Sequence, residues 1–237
     1  MHFLLEKQIL PLFILPPPAT NRVYFVARPF WGLNFSRVFR TFVKSLYEMK
    51  GVTLFLANGF EDMEAIATRD VLIRGGIPVN VVSITDEYMV ESSHGLQVMA
   101  DCCREDLDPD EEGTTREDVL IFPGGMPGTR NLAQDAALMQ LMRDHFAAGG
   151  TVAAICAAPG LVVSQLDDVE GLNFTCFEGF QGPMQAKGAV YVPEGVVVDG
   201  HLITGRGAGW AVPFGLAIVE YLKGPEAAAK VRGGLML

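Results

Sequence analysis

The chain has 237 residues, 49% of them hydrophobic, and a net charge of −10 at pH 7, which suits one globular domain with a sizeable core. The acidic balance excludes nucleic acid as the main partner, and no apolar run approaches the ~18 residues that a membrane-spanning helix requires. Four cysteines, two of them adjacent at Cys102 and Cys103, form no disulfide framework and show no zinc-site spacing, which points to a reducing compartment.

The charge is uneven along the chain. Residues 1–48 carry Lys7, Arg22, Arg28, Arg37, Arg40 and Lys44 against Glu6 and Glu48, a net +4, so the rest carries −14. That asymmetry places a boundary near Met49, between an N-terminal extension (1–48) and a single domain (49–237). Phe35, Val38, Phe39, Phe42, Val43 and Leu46 recur at helical spacing, with Arg37, Arg40 and Lys44 mostly on the other side. A basic, amphipathic, acid-poor start reads as an organellar transit peptide, or as an extension upstream of a working start at Met49. The run Ile9 to Leu15 offers a short signal-peptide core, but without a well-placed basic segment or a small-residue cleavage site. The expected location is the cytoplasm, or a mitochondrion or other organelle if residues 1–48 are a transit peptide.

From Gly51 the pattern alternates. Val52 to Ala57 is a near-continuous apolar run, the mark of a strand buried on both faces. Asn58-Gly59-Phe60 turns, and Glu61 or Asp62 caps a helix that runs to about Arg74 and stops at Gly75-Gly76. Pro78 to Ile84 is the next strand, and Leu96 to Ala100 a short extra strand after the turn Ser92-Ser93-His94-Gly95. Asp101 to Glu117 is acidic and reads as a surface loop or short helix. Asp118 to Phe122 is a third core strand, Asp135 to Ala148 a helix, and Thr151 to Ile155 a fourth core strand. Gly160 to Leu166 reads as helix. Gly195 to Thr204 reads as a hairpin turning at Asp199-Gly200, followed by helices from Trp210 to Lys223 and from Pro225 to Gly233. Strands alternating with helices imply a doubly wound, mostly parallel sheet with helices on both faces.

In such sheets, sites form at the carboxyl ends of the strands. Cys156 stands there, between the strand Thr151–Ile155 and the helix that follows, in the position of a nucleophile elbow. Ala154 and Ala158 supply the small neighbours that such a turn needs, and a helix N-terminus favours thiolate over thiol. The alternative is a buried, inert cysteine in an Ala-rich strand. Glu64, in the first turn of the first helix, is either an acid that suits the helix dipole or a carboxyl group facing Cys156 that gives and takes a proton. Gly124-Gly125 is a tight turn, or a place where backbone N–H groups approach an oxyanion. Gly205-Arg206-Gly207-Ala208-Gly209 lacks the Lys-Ser/Thr of a phosphate loop; Arg206 either binds an anion at the rim or pairs with a local acid. Of the histidines, His145 in a helix and His201 at a hairpin tip read as surface residues, and His94 lies in a loop that reaches toward a subunit boundary. No metal cluster is visible.

Five segments in order carry a resemblance: Asn58-Gly-Phe-Glu-Asp-Met-Glu64, Leu120-Ile-Phe-Pro-Gly-Gly125, Ala153-Ala-Ile-Cys-Ala-Ala-Pro159, Thr204-Gly-Arg-Gly-Ala-Gly209 and Phe214-Gly-Leu-Ala-Ile-Val-Glu220. From about Val52 to the C-terminus the chain resembles the ThiJ/PfpI superfamily, and within it the parkinsonism-associated protein deglycase branch. The resemblance implies a flavodoxin-like α/β fold, a homodimer, and a reactive, oxidation-prone cysteine at Cys156. It implies that Glu64 hydrogen-bonds this thiol and holds its pKa low, and that Gly124, Gly125 and Ala157 supply backbone donors around it. Arg206 matches an arginine near the pocket and dimer boundary. Phe177 stands where some members carry a pocket histidine, and Ala157 replaces the histidine that follows the cysteine in the protease-like branch. His94 stands where an arginine closes a subunit contact. The implied activity is a cofactor- and metal-independent, cysteine-dependent reaction on α-oxoaldehydes, such as glyoxal and methylglyoxal, or on their early protein adducts. The rival is a redox sensor or chaperone working through Cys156 oxidation, in which Cys176 either packs or resolves an oxidised thiol.

Overall fold

The structure is a computed structural model that describes residues 51–103 and 118–237. The expectations for residues 1–48 and for most of the acidic stretch, 104–117, lie outside the described residues. The central sheet has seven strands: β1 (Val52–Leu56), β2 (Val79–Ser83), β5 (Cys102–Cys103), β6 (Val119–Phe122), β7 (Thr151–Ile155), β10 (Val196–Asp199) and β11 (Leu202–Gly205), in the order β10-β11-β7-β6-β1-β2-β5. All neighbours pair in parallel except the hairpin β10–β11.

Side chains along the inner strands alternate between two cores, as the two-residue period requires. Phe55, Leu120, Phe122, Val152 and Ala154 face one side, under α2 (Gly128–Gln134), α3 (Ala136–Ala147) and α4 (Ala158–Leu161). Val52, Leu54, Leu56, Val119, Ile121, Ala153 and Ile155 face the other, under α1 (Asp62–Arg74), α6 (Ala211–Lys223) and α7 (Pro225–Gly234). Both faces are apolar, so the inner strands read as continuous hydrophobic runs. Phe55 and Phe122 are fully buried and stack at 5.4 Å between centroids, and each contributes about 1.5–3 kcal/mol by burial.

Two small sheets sit at the edges: the hairpin β3 (Met89–Glu91) with β4 (Gln97–Met99), and the parallel pair β8 (Asn173–Phe174) with β9 (Val190–Tyr191). A short helix, α5 (Gly182–Gln185), precedes β9.

Several expectations change. Cys102-Cys103 is an edge strand of the main sheet, hydrogen-bonded beside Val82-Ser83, rather than part of a surface loop. The segment after Cys156 is one α-helical turn followed by a 3-10 turn at Val163–Gln165, rather than a helix through Leu166. The Ser164 hydroxyl there donates to Gly160 C=O (2.7 Å) and the Gln165 amide to Leu161 C=O (3.1 Å), and such side-chain bonds compete with a regular helix. His145 is buried at 2% exposure, not on the surface, and the half-buried His201 packs on the Phe146 ring at 4.0 Å. Among the described residues no helix is long and apolar enough to cross a membrane.

Candidate active site at Cys156

The parallel strands deliver four loops to one edge of the sheet. Those after β1, β6, β7 and β11 carry Gly59–Glu64, Pro123–Gly125, Cys156 and Gly205–Gly207. Cys156 follows β7 directly and has φ 66°. A non-glycine residue in this left-handed region costs on the order of 1–3 kcal/mol and persists only where its surroundings hold it. Here the Cys156 N–H donates to Gly205 C=O (2.9 Å), and its own C=O accepts from Phe177 N–H (2.8 Å). Two neighbouring segments thus clamp the peptide groups that flank the thiol.

Glu64 arrives from the opposite side. Glu61 caps α1 by accepting from Glu64 N–H (2.8 Å), which fixes the first turn and turns the Glu64 side chain inward, where the residue is 1% exposed. Its Oε2 accepts from Gly124 N–H at 2.7 Å. Its Oε1 is buried without a well-aligned hydrogen bond, and the side chain that interacts with this carboxyl is the Cys156 thiol. The N–H groups of Ala157 and Gly125 act on the sulfur. Gly124 departs from its expected place among those donors, because its N–H is taken by Glu64.

The glycines here are required by space. A Cβ at Gly124 would stand 2.4 Å from Glu64 Oε2 and 2.5 Å from Cys156 Cβ. Gly125 has φ 92°, and a Cβ there would strike the Glu61 backbone nitrogen at 2.4 Å. The turn Pro123-Gly124-Gly125 therefore brings the first helix and the thiol into contact.

Burial pushes the Glu64 carboxyl up to about 7. Burial, and then the Glu64 charge, push the Cys156 thiol up to about 12, against the Ala157 and Gly125 N–H groups that favour thiolate. Burial and the Glu64 charge thus work against the expectation of a thiol held low by its helix and its acid. The helix after Cys156 has four residues, too few for a large dipole, and an ionised Glu64 repels a thiolate. Once Glu64 holds the proton, that repulsion vanishes and the carboxyl group donates. The two groups are therefore coupled: the charge on one sets how readily the other gives up its proton.

The remaining expected residues lie at the margin. Phe177 is 51% exposed and packs edge-on against Phe180 at 6.3 Å. Arg206 is half-buried; its N–H donates to Gly195 C=O (2.9 Å), and its charge acts on the Cys176 thiol. Cys176 is fully buried, and that burial pushes its thiol up to about 11. The sequence reading missed a cluster beside this site, where His94 Nδ1 contacts the Asp62 carboxylate next to Glu61. Its sequence signal is faint, because 32 residues separate Asp62 from His94.

A doubly wound, mostly parallel sheet with helices on both faces is the flavodoxin-like α/β fold. Residues 50–221 match the model of the DJ-1/PfpI family, and the chain belongs to that family. It is 34% identical over 188 residues to Protein DJ-1 homolog B of Arabidopsis thaliana, a match covering 79% of this chain and 42% of that one. It is 34% identical over 189 residues to Protein dj-1beta of Drosophila melanogaster, 79% of this chain and 97% of that one. The crystal structure of the fly protein superposes with a TM-score of 0.69 at 32% identity, covering 81% and 99% of the two chains. A Caenorhabditis elegans relative named glutathione-independent glyoxalase DJR-1.2 is 32% identical over 166 residues, 70% of this chain and 84% of that one. The chain spans less than half the length of the two Arabidopsis relatives it matches, 42% and 47%.

Proposed function

We propose that this protein is a cofactor-independent thiol enzyme that converts α-oxoaldehydes, free or as early adducts on proteins, to 2-hydroxy acids. The observation that carries this reading is a buried Glu64 carboxyl beside a thiol held on a left-handed turn under two backbone N–H groups. A nematode relative that bears a glyoxalase name gives it further support.

The chemistry follows from the groups present. The Cys156 sulfur adds to the aldehyde carbon of methylglyoxal, its proton passes to Glu64, and the new oxyanion accepts from the Gly125 and Ala157 N–H groups. Protonation of that oxygen gives a hemithioacetal. Glu64 then moves the C1 proton toward C2 through an enediol, which oxidises C1 to the thioester level and reduces the ketone to an alcohol. Water hydrolyses the thioester, releasing lactate and restoring the thiol. No external oxidant or reductant enters. Phe177 has no proton to exchange, so Glu64 carries every transfer in this scheme. Arg206 would hold the carboxylate product at the rim.

The test is lactate formation from methylglyoxal without glutathione, in wild type, Cys156→Ala and Glu64→Gln. Lactate from the wild type and none from either variant is the expected result; full activity in Cys156→Ala would overturn the reading. A homodimer belongs to the same proposal, and a monomer in sedimentation velocity at micromolar concentration would remove it.

A second reading, a redox sensor, draws on one observation: Phe177 adds no acid or base to the pocket. A protonated Glu64 would then donate to an oxidised Cys156 sulfur. The buried Cys176 is a poor resolving thiol, so mild peroxide would add two oxygens to Cys156 rather than form a disulfide with Cys176. Mass spectrometry distinguishes the two products.

A further inference from the structure

A second group of side chains with metal-binding chemistry stands beside the thiol site. One carboxylate oxygen each from Glu61 and Asp62 and a ring nitrogen of His94 all lie within 4.8 Å of one another. We propose that Glu61, Asp62 and His94 form a binding site for a divalent transition-metal ion of the zinc class, on the rim of the sheet's carboxyl edge.

The donor set decides the class of ion. One imidazole nitrogen with two carboxylates suits zinc, cobalt or nickel, whereas magnesium and calcium take oxygen ligands. Three protein ligands leave room for water or for a donor from a second copy of the chain, on the side where the His94 ring is exposed in the single chain.

The spacing is close to what one ion needs. Ligands at about 2.0–2.2 Å from a common ion stand roughly 3–4 Å apart. Glu61 caps α1 through one carboxylate oxygen, which leaves the other for the ion, and the direct Asp62–His94 contact opens to admit it.

The electrostatics favour a cation. Two carboxylates face one imidazole, so negative charge remains even when His94 is protonated. Among the described residues no Lys or Arg pairs with Glu61 or Asp62; the ion pair of Asp62 is with His94. The N-terminus of α1 opposes a cation at this point, so the affinity is expected in the micromolar rather than the nanomolar range.

The donors are also held from behind. The Ser92 side chain, 5% exposed, stands against the Asp62 carboxylate and acts on it. The same hydroxyl oxygen accepts from His94 N–H (3.2 Å) and Leu96 N–H (2.9 Å). Ser92 thereby fixes both a ligand and the turn that carries the other ligand, the supporting role that outer hydrogen bonds play at metal sites. Ser93 N–H to Phe60 C=O (2.7 Å) and Gly59 N–H to Glu91 C=O (2.7 Å) anchor the β3–β4 hairpin against the entry to α1.

Equilibrium dialysis of zinc against the 237-residue chain tests this. The chain carries Cys156→Ser, which removes the half-exposed thiol as a competing ligand. One ion per chain is expected, with binding weakened at least ten-fold by adding His94→Ala and similarly by adding Asp62→Asn. No saturable binding to the Cys156→Ser chain would overturn the proposal, and so would binding that both added substitutions leave unchanged.

Discussion

The two ends of β7 each hold a buried titratable side chain against a glycine, and they differ in how that side chain is treated. At the amino end His145 lies over Gly150, and its Nε2 pairs with Thr151 C=O at 3.0 Å. At the carboxyl end Glu64 lies over Gly124, one oxygen is paired, and the other is buried without a well-aligned partner beside a cysteine at φ 66°. Neither end is uniform: His201 Nε2, near His145, also lacks a partner. The contrast between His145 and Glu64 sets a packing role beside the chemical role proposed for Glu64. A satisfied buried group is worth only its packing, whereas strain and an open hydrogen-bond position mark a place that the rest of the fold must hold.

The largest break in this contrast comes from the thiol. Cys156→Ala is expected to lower methylglyoxal turnover by about 10³-fold or more while leaving the fold intact. The strain can be read separately, because Cys156→Gly admits the positive φ freely and should be more stable than Cys156→Ala by about 1 kcal/mol; equal denaturation midpoints would show that the turn is not strained. Next comes Gly124→Ala. Its Cβ would fall 2.4 Å from Glu64 Oε2 and push the carboxylate aside, and turnover should drop by roughly 10–100-fold, the scale of one misplaced proton-transfer group. Unchanged kinetics in that variant would separate Glu64 from the chemistry.

The carboxyl end was the more legible in the sequence. The inner strands β1, β6 and β7 stand out as apolar runs because both their faces are covered, and Cys156 stands out because alanines flank it at the end of such a run. The partner of Gly124 N–H was not legible, because only the folded turn decides whether an amide points at the sulfur or the carboxylate. Burial of the thiol was one of the two readings that the sequence left open, and only the packed turn sets the direction of its shift. At the amino end His145 was misread although its signal was present. It falls on the helical stripe of Leu138, Met139 and Met142, all buried, and a polar residue on an apolar stripe argues for a satisfied core position. Cys102-Cys103 had no such signal, since two residues are too few to show a period. The Glu61, Asp62 and His94 group depends on a hairpin folding back across the first helix, which local pattern does not encode.

Gly150→Ala sharpens the contrast from the other side. A Cβ there would stand 2.1 Å from His145 Cε1, forcing the ring off Thr151 C=O. The expected loss is about 1–3 kcal/mol of stability, as for overpacking elsewhere, with turnover per folded molecule unchanged. A drop in turnover matching that of Gly124→Ala would mean that the two ends are coupled through β7.

The smallest effect expected is the pH dependence of His145 itself. Burial holds its pKa below the ordinary histidine value, against the Thr151 carbonyl bond and the Asp118 charge, which pull it upward. The unfolded chain therefore binds a proton at a higher pH than the folded one. Stability from this residue is full above the unfolded value of about 6.5 and declines as pH falls through it toward the lower folded value. Thermal midpoints between pH 8 and pH 5 should fall more steeply for the wild type than for His145→Leu. The variant starts lower, because Thr151 C=O loses this partner. Parallel curves would show that the ring takes up its proton at the same pH in the folded and unfolded chains, and acid sensitivity would then belong to the carboxylates.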